Sequence, residues 1–122
     1  MRLLESKALL GAGFPSGAYY LAGYAVECAL KACIAKRTKE HDFPDKQLAN
    51  SSYTHSLRDL LPLAQLTDEM SKDSAVVINW EIVKSWSELS RYQKRSKVEA
   101  TELLQAIENA AGGILPWVRK HW

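Results

Sequence analysis

The sequence has no long apolar run, few prolines and two cysteines. No stretch approaches the ~18 apolar residues that a bilayer-crossing helix needs, so we expect no membrane span. Near the start of the chain, Glu5 and Lys7 interrupt what would have to be the apolar core of a secretory signal, so we expect no signal peptide. Cys28 and Cys33 lie on different sides of one predicted helix and cannot bridge within it, which predicts buried, unpaired thiols in a reducing cytoplasm.

The sequence also lacks the patterns that hold metals, bind phosphates or activate nucleophiles. It has no Cys-x-x-Cys pair, and its histidines are not at metal-ligand spacing on one helix, so we predict neither a metal site nor a cofactor. The glycine-rich stretch GAGFPSG at residues 11–17 has no preceding strand and no P-loop lysine. No local motif supplies a base to a serine or cysteine nucleophile, so we assign no catalytic residue.

Apolar residues recur at helical spacing along most of the chain, and no segment alternates with a period of two. Hydrophobic residues make up 47% and charged residues 25% of the sequence, a composition typical of a folded globular protein. At 122 residues, the chain is long enough to bury one core and short enough to form one domain. We therefore predict a single all-α domain over residues 1–122.

The stretch SGAYYLAGYAVECALKACIAKR, residues 16–37, predicts a long helix with two different faces. One face is apolar and rich in alanine, and Gly23 within the helix suggests a close backbone approach. The other face carries Tyr20, Tyr24, Glu27 and Lys31, which follow i, i+4, i+7 and i+11. This stripe either faces solvent, with one weak ion pair, or is covered by a second subunit or a ligand. Its four residues are therefore candidates for a pocket or an interface.

Several helix boundaries follow from capping residues. Ser16 is expected to cap the long helix, and Ser56 with Asp59 resembles a capping box that begins a short helix. Between these two helices, residues 38–55 are polar and predict a surface loop. The apolar spacing over residues 67–93 predicts a second long helix, and helical spacing resumes after residue 97.

Positive charge is concentrated in the stretch SRYQKRSK, although the formal net charge of the chain is only +2. We call residues 91–97 the cationic segment, because Arg91, Lys94, Arg95 and Lys97 lie there without an acid between them. A phosphate is the natural counter-charge of such a cluster, and Tyr92 could stack on a base. The alternative is a solvated helix end. These five residues are the candidate contacts for RNA or phosphate.

Four stretches together resemble the HEPN family, the higher eukaryote and prokaryote nucleotide-binding domains. They are AYYLAGYAVECALKACI at 18–34, THSLRDLL at 54–61, WSELSRY at 86–92 and ILPWVRKHW at 114–122. The resemblance implies an up-and-down bundle of four to five helices that forms a homodimer. Many members are ribonucleases, often toxins paired with a small nucleotidyltransferase antitoxin, and others bind RNA or nucleotides without cleaving.

In the nucleolytic members, four to six residues separate an arginine from the histidine that follows it. Arg91 stands where that arginine is expected, but residues 96–98 are serine, lysine and valine, so the ribonuclease motif is not present. The resemblance also places Glu27 and His55 at commonly polar positions, which adds His55 to the pocket candidates. We expect a non-catalytic binder of RNA or nucleotide phosphate. A ribonuclease with a non-standard active site and a dimeric interaction module are the alternatives.

Overall fold

A computed structural model of the chain describes residues 2–40 and 53–121. Within these ranges there are seven α-helices, one 3-10 helix and no strand, which confirms the predicted all-α class. The helices are α1 (Arg2–Gly11), α2 (Pro15–Glu40), α3 (Leu57–Leu63), α4 (Thr67–Ser71), α5 (Ser74–Val83), the 3-10 helix (Glu88–Tyr92), α6 (Lys97–Glu108) and α7 (Ile114–Arg119). The predicted loop at residues 38–55 falls mostly outside the described residues.

Helix α2 is the centre of the fold and contacts α1, α3, α6, α7 and the 3-10 helix. Its alanine-rich face is buried as the spacing predicted, through Ala18, Ala22, Val26, Ala29, Leu30, Cys33 and Ile34. Small side chains on this face let the neighbouring helices approach closely. The close approach expected at Gly23 is also confirmed, because a Cβ at this position would overlap the indole ring of Trp86. Of the two cysteines, Cys33 is buried as predicted but Cys28 is exposed.

The prediction of a second long helix over residues 67–93 is wrong, because this stretch divides into α4, α5 and the 3-10 helix. The first break comes at Asp73, whose side chain accepts a hydrogen bond from the Val76 N–H at 3.3 Å and caps α5. The second break follows Val83, where the chain turns so that Trp86 is buried against α2 with 1% of its surface exposed. The helix number therefore exceeds the four to five that were expected.

Capping was predicted at the right place for α3 and missed for α6. Ser56 occupies the N-cap position of α3, but its side chain makes no capping hydrogen bond, so the capping box expected with Asp59 does not form. The complete capping box is at α6, where the Glu99 N–H donates to Ser96 Oγ at 3.1 Å and the Ser96 N–H donates to Glu99 Oε1 at 3.2 Å. This box fixes the end of the cationic segment.

The apolar core extends from α2 to the C-terminal helices. Trp80, Trp86 and Trp117 are all buried, as expected of core anchors, whereas Trp122 lies outside the described residues. None of the helices in residues 2–40 and 53–121 has the length and the apolar character that crossing a bilayer requires.

Candidate functional site

Glu27 is a charged side chain in the interior of the protein. It lies on α2 with 2% of its surface exposed, although the sequence placed it on the face turned away from the core. An unpaired buried carboxylate would be costly, and here the side chains of His55 and Lys31 lie close to it. His55 Nδ1 is 3.0 Å and 3.1 Å from the two carboxylate oxygens, and Lys31 Nζ is 3.6 Å from Oε2. The predicted Glu27–Lys31 pair is thus confirmed, with His55 as a second and closer partner.

His55 joins Glu27 to a second carboxylate. Its Nε2 atom is 3.2 Å from Glu88 Oε2, so each ring nitrogen faces an acid. A carboxylate can only accept hydrogen bonds, so both contacts are hydrogen bonds only when both ring nitrogens carry protons. We call Glu27, Lys31, His55 and Glu88 the Glu27–His55 cluster. It links α2, the segment before α3 and the 3-10 helix, and it places two carboxylates beside one imidazole and one ammonium group.

Sequence reasoning named three of the four residues of the cluster and missed Glu88. Glu88 meets His55 through the fold rather than through helical spacing, so no local pattern could have identified it. No group of three or more His, Cys, Asp or Glu side chains in the described parts of the chain is arranged to hold a metal ion.

Tyr20 and Tyr24, the two tyrosines of the stripe, pack against other side chains of their own chain. The rings of Tyr20 and Tyr24 have their centroids 6.0 Å apart, and the Tyr20 ring lies 5.9 Å from that of Trp86. On the other side, the guanidinium of Arg2 lies 5.0 Å from the centre of the Tyr24 ring. Both tyrosines are half-buried. Part of the cover expected from a second subunit is therefore supplied by Trp86 and Arg2.

The cationic segment lies along the N-terminal half of α2. Ser16 does not cap α2 with its side chain as predicted; its hydroxyl oxygen accepts a hydrogen bond from the Arg95 N–H at 2.8 Å. Trp86 lies against Gly23 nearer the middle of α2, and the Glu27–His55 cluster attaches Glu88 further along. Residues 86–95 are thus held at three levels of one helix, which gives this stretch a defined position.

Arg95 contacts other side chains of the protein. Its guanidinium pairs with Glu99 Oε2 at 3.1 Å, donates to the Gln93 side chain and lies 4.4 Å from the centre of the Tyr19 ring. Hydrogen bonds from the Ser96 backbone and from Arg95 hold the pKa of Glu99 below the ordinary value of a glutamate. Arg95 therefore organises the segment and is not freely available to a phosphate.

Three other candidate groups on the segment are turned outward. Lys94 and Lys97 are exposed, and neither makes a salt bridge within residues 2–40 and 53–121. The side chain of Tyr92 is also outward, with 72% of its surface exposed. The side chain of Arg91 lies outside the described part of the structure, so its predicted role remains a prediction.

Phe14 is an aromatic residue near the segment that sequence reasoning did not identify. It precedes α2 and is 61% exposed, two positions before the serine that holds Arg95. An exposed phenylalanine cannot be distinguished from a buried one by residue type. The structure therefore adds a second exposed ring, two residues from the serine that anchors the cationic segment.

Comparison of the chain with models of known protein families, with curated proteins and with solved structures found no match. The HEPN resemblance therefore rests on the four stretches quoted above. What it implies about function is a proposal.

Proposed function

We propose that this protein is a non-catalytic, HEPN-like binding module for RNA or nucleotide phosphate. The observation that carries the proposal is the placement of Lys94, Lys97 and Tyr92, which are all exposed on one anchored segment of seven residues. Ammonium groups bind the phosphates of a single-stranded nucleic acid, and an aromatic ring stacks on its bases. The proposal includes a cytoplasmic homodimer with an up-and-down bundle fold.

The local charges indicate which groups would contact the phosphate. Glu99 already accepts the N–H of Ser96 at the start of α6, so its negative charge occupies the place where an anion would meet this helix. Phosphate contacts are therefore left to Lys94, Lys97 and Arg91. A site with two or three cations should bind weakly and lose affinity steeply with salt, because each phosphate contact releases a counterion.

The Glu27–His55 cluster supports binding without cleavage. Proton transfer to or from RNA requires a histidine nitrogen that is free to reach the substrate, and both nitrogens of His55 face carboxylates. The positions 96–98, where the resemblance expects a histidine, contain none. These two features favour a module that holds RNA intact.

A ribonuclease with a non-standard active site is the second candidate. It is favoured by the buried Glu27, which orients His55 through Nδ1, and by the 3-10 helix, which carries both Glu88 and Arg91. Release of Glu88 would free Nε2 for proton transfer close to the cationic segment. This mechanism makes cleavage depend on His55, a residue outside the family motif.

Binding is tested with a fluorescently labelled single-stranded RNA at about 50 mM and 200 mM salt. We expect the Lys94→Ala/Lys97→Ala variant to bind roughly tenfold more weakly than the parent protein at low salt, which is about 1.4 kcal/mol. The matched control is Lys72→Ala/Lys120→Ala, which removes the same charge from exposed lysines elsewhere. An equal loss in both variants would mean that only net charge matters, and the proposed site would be rejected.

Cleavage is tested on the same RNA without added metal. Intact RNA with the parent protein, under conditions in which it is bound, supports the binding module. Cleavage that is lost in both Arg91→Ala and His55→Ala would instead establish the ribonuclease. A small nucleotidyltransferase is the partner that the resemblance suggests, and co-purification with such a protein would place the module in a two-component system.

A further inference from the structure

A groove of about 200 Å³ lies between α1, α2 and α7, on elements that do not carry the cationic segment. Its floor is formed by Ala25, Ala29 and Ala32 of α2, and its walls by Leu3 of α1 and Leu115 of α7. This space is large enough for several water molecules. This is the space of a short hydrocarbon chain or one small ring.

The thiol of Cys28 also lines the groove. Although Cys28 is largely exposed, partial desolvation in the groove raises the pKa of its thiol above the ordinary value, and the nearby charge of Glu27 raises it further. The thiol therefore stays protonated at neutral pH and behaves as a small, weakly polar group. Apart from its two arginines, the lining of the groove is apolar.

Both charged residues of the lining are arginines. Arg2 is already engaged by the Tyr24 ring and by a long ion pair of 3.8 Å to Glu5, whereas Arg119 has no ion pair in the described parts of the chain. Arg119 follows Val118, whose carbonyl accepts a weak hydrogen bond from Cys33 Sγ. Because Tyr24 and Cys33 are nine residues apart on α2, these contacts are about 13 Å apart along the helix. The Arg2 guanidinium and the backbone beside Arg119 thus contact α2 at well-separated points.

We propose that this groove binds a small organic anion with an apolar body, with the anionic group on Arg119 and the hydrocarbon on the alanine floor beside Cys28. A guanidinium suits a carboxylate or a phosphate because it donates two parallel hydrogen bonds to either. The apolar floor supplies the remaining affinity by removing hydrocarbon from water. The ligand class is a medium-chain carboxylate or alkyl phosphate, and the site is independent of the RNA proposal.

The ligand class is tested by titrating the whole protein with four probes, using calorimetry or amide NMR shifts. We expect saturable binding of octanoate and octyl phosphate, and binding at least tenfold weaker for octylamine and for acetate. Octylamine has a similar chain with the opposite charge, and acetate has the anionic group without the chain. Equal binding of octylamine would overturn the role of the arginine, and equal binding of acetate would overturn the role of the groove.

The location is tested with two variants and a chemical probe. Arg119→Gln and Ala32→Leu should each weaken octanoate binding at least tenfold, one by removing the cation and the other by filling the groove at an exposed position. The neighbouring Lys120→Gln should leave binding unchanged. Octanoate should also slow alkylation of Cys28 by iodoacetamide in the parent protein. Unchanged alkylation at saturating octanoate would overturn the assigned site even if a variant failed to fold.

Discussion

At the scale of single residues, the burial of the Glu27 carboxylate depends on a partner that lies far away in the sequence. Its carboxylate is buried, and His55 approaches it from 28 positions along the chain. Lys31 is the local partner, but at 3.6 Å it is the more distant of the two. The stability of this part of the core therefore depends on His55 more than on the helical ion pair.

Substitution of His55 by alanine should lower the free energy of unfolding by about 2–3 kcal/mol, because Glu27 would stay buried with one distant cation. Glu88→Ala should cost less than about 1 kcal/mol, since it removes only the exposed arm of the cluster. Urea denaturation measures both values. The double variant Glu27→Gln/His55→Ala should be more stable than His55→Ala alone, because it no longer buries a charge without its partner. If the losses in the free energy of unfolding of Glu27→Gln and His55→Ala simply add in the double variant, this account is contradicted.

At the scale of secondary-structure elements, α2 packs tightly against Trp86, which lies just before the 3-10 helix. The contact at Gly23 leaves no space for a larger side chain. Gly23→Ala should destabilise the protein by about 1–3 kcal/mol through overlap with Trp86, although alanine is the better helix former. Gly11→Ala is the matched control, because a Cβ there meets nothing within 4 Å. Thermal unfolding of both variants decides the point, and a stabilised Gly23→Ala protein would show that Trp86 moves freely.

The N-terminus of α6 should respond to acid through Glu99. Hydrogen bonds within the capping box hold its pKa below 4.5, so the stabilising contribution is present above pH 4.5 and is lost as the pH falls through the lowered pKa. Ser96→Ala should raise the pKa of Glu99 towards the ordinary value of a glutamate, because it removes the side-chain hydrogen bond of Ser96 and loosens the box. An NMR titration of the Glu99 side chain measures this. An unchanged pKa in Ser96→Ala would assign the effect to the Ser96 backbone N–H and to Arg95, both of which this variant keeps.

At the scale of the whole molecule, α5 presents an exposed apolar pair that would suit self-association. Ile78 and Ile82 are one turn apart, and 66% and 43% of their surfaces are exposed. If the proposed homodimer uses this face, Ile78→Lys/Ile82→Glu should yield a monomer of unchanged helicity. Sedimentation velocity and circular dichroism measure the two properties. A dimer that persists in this variant would locate the contact elsewhere, and Lys72→Glu serves as the surface control.

The sequence pattern within one helix predicted those features of the fold that depend on that helix alone. The alanine face of α2 and the close approach at Gly23 follow from spacing and residue size, and both are confirmed. The break after Val83 was missed because it depends on where Trp86 is buried, whereas the break at Asp73 has a local signal in its capping side chain. The interior position of Glu27 was missed for the same reason, since spacing on one helix does not reveal a partner 28 residues away. Contacts between distant segments decide such features.

The hydrogen bond from the Arg95 backbone to Ser16 joins positions 79 residues apart. During synthesis, the start of α2 emerges long before the stretch that will lie against it, and contacts so far apart in sequence form late. A ribosome-bound chain that ends before residue 95 can therefore form helices but lacks the anchored lysine face. The exposed lysines proposed to bind RNA should therefore acquire their anchored position only after residue 95 has been synthesised and has met Ser16.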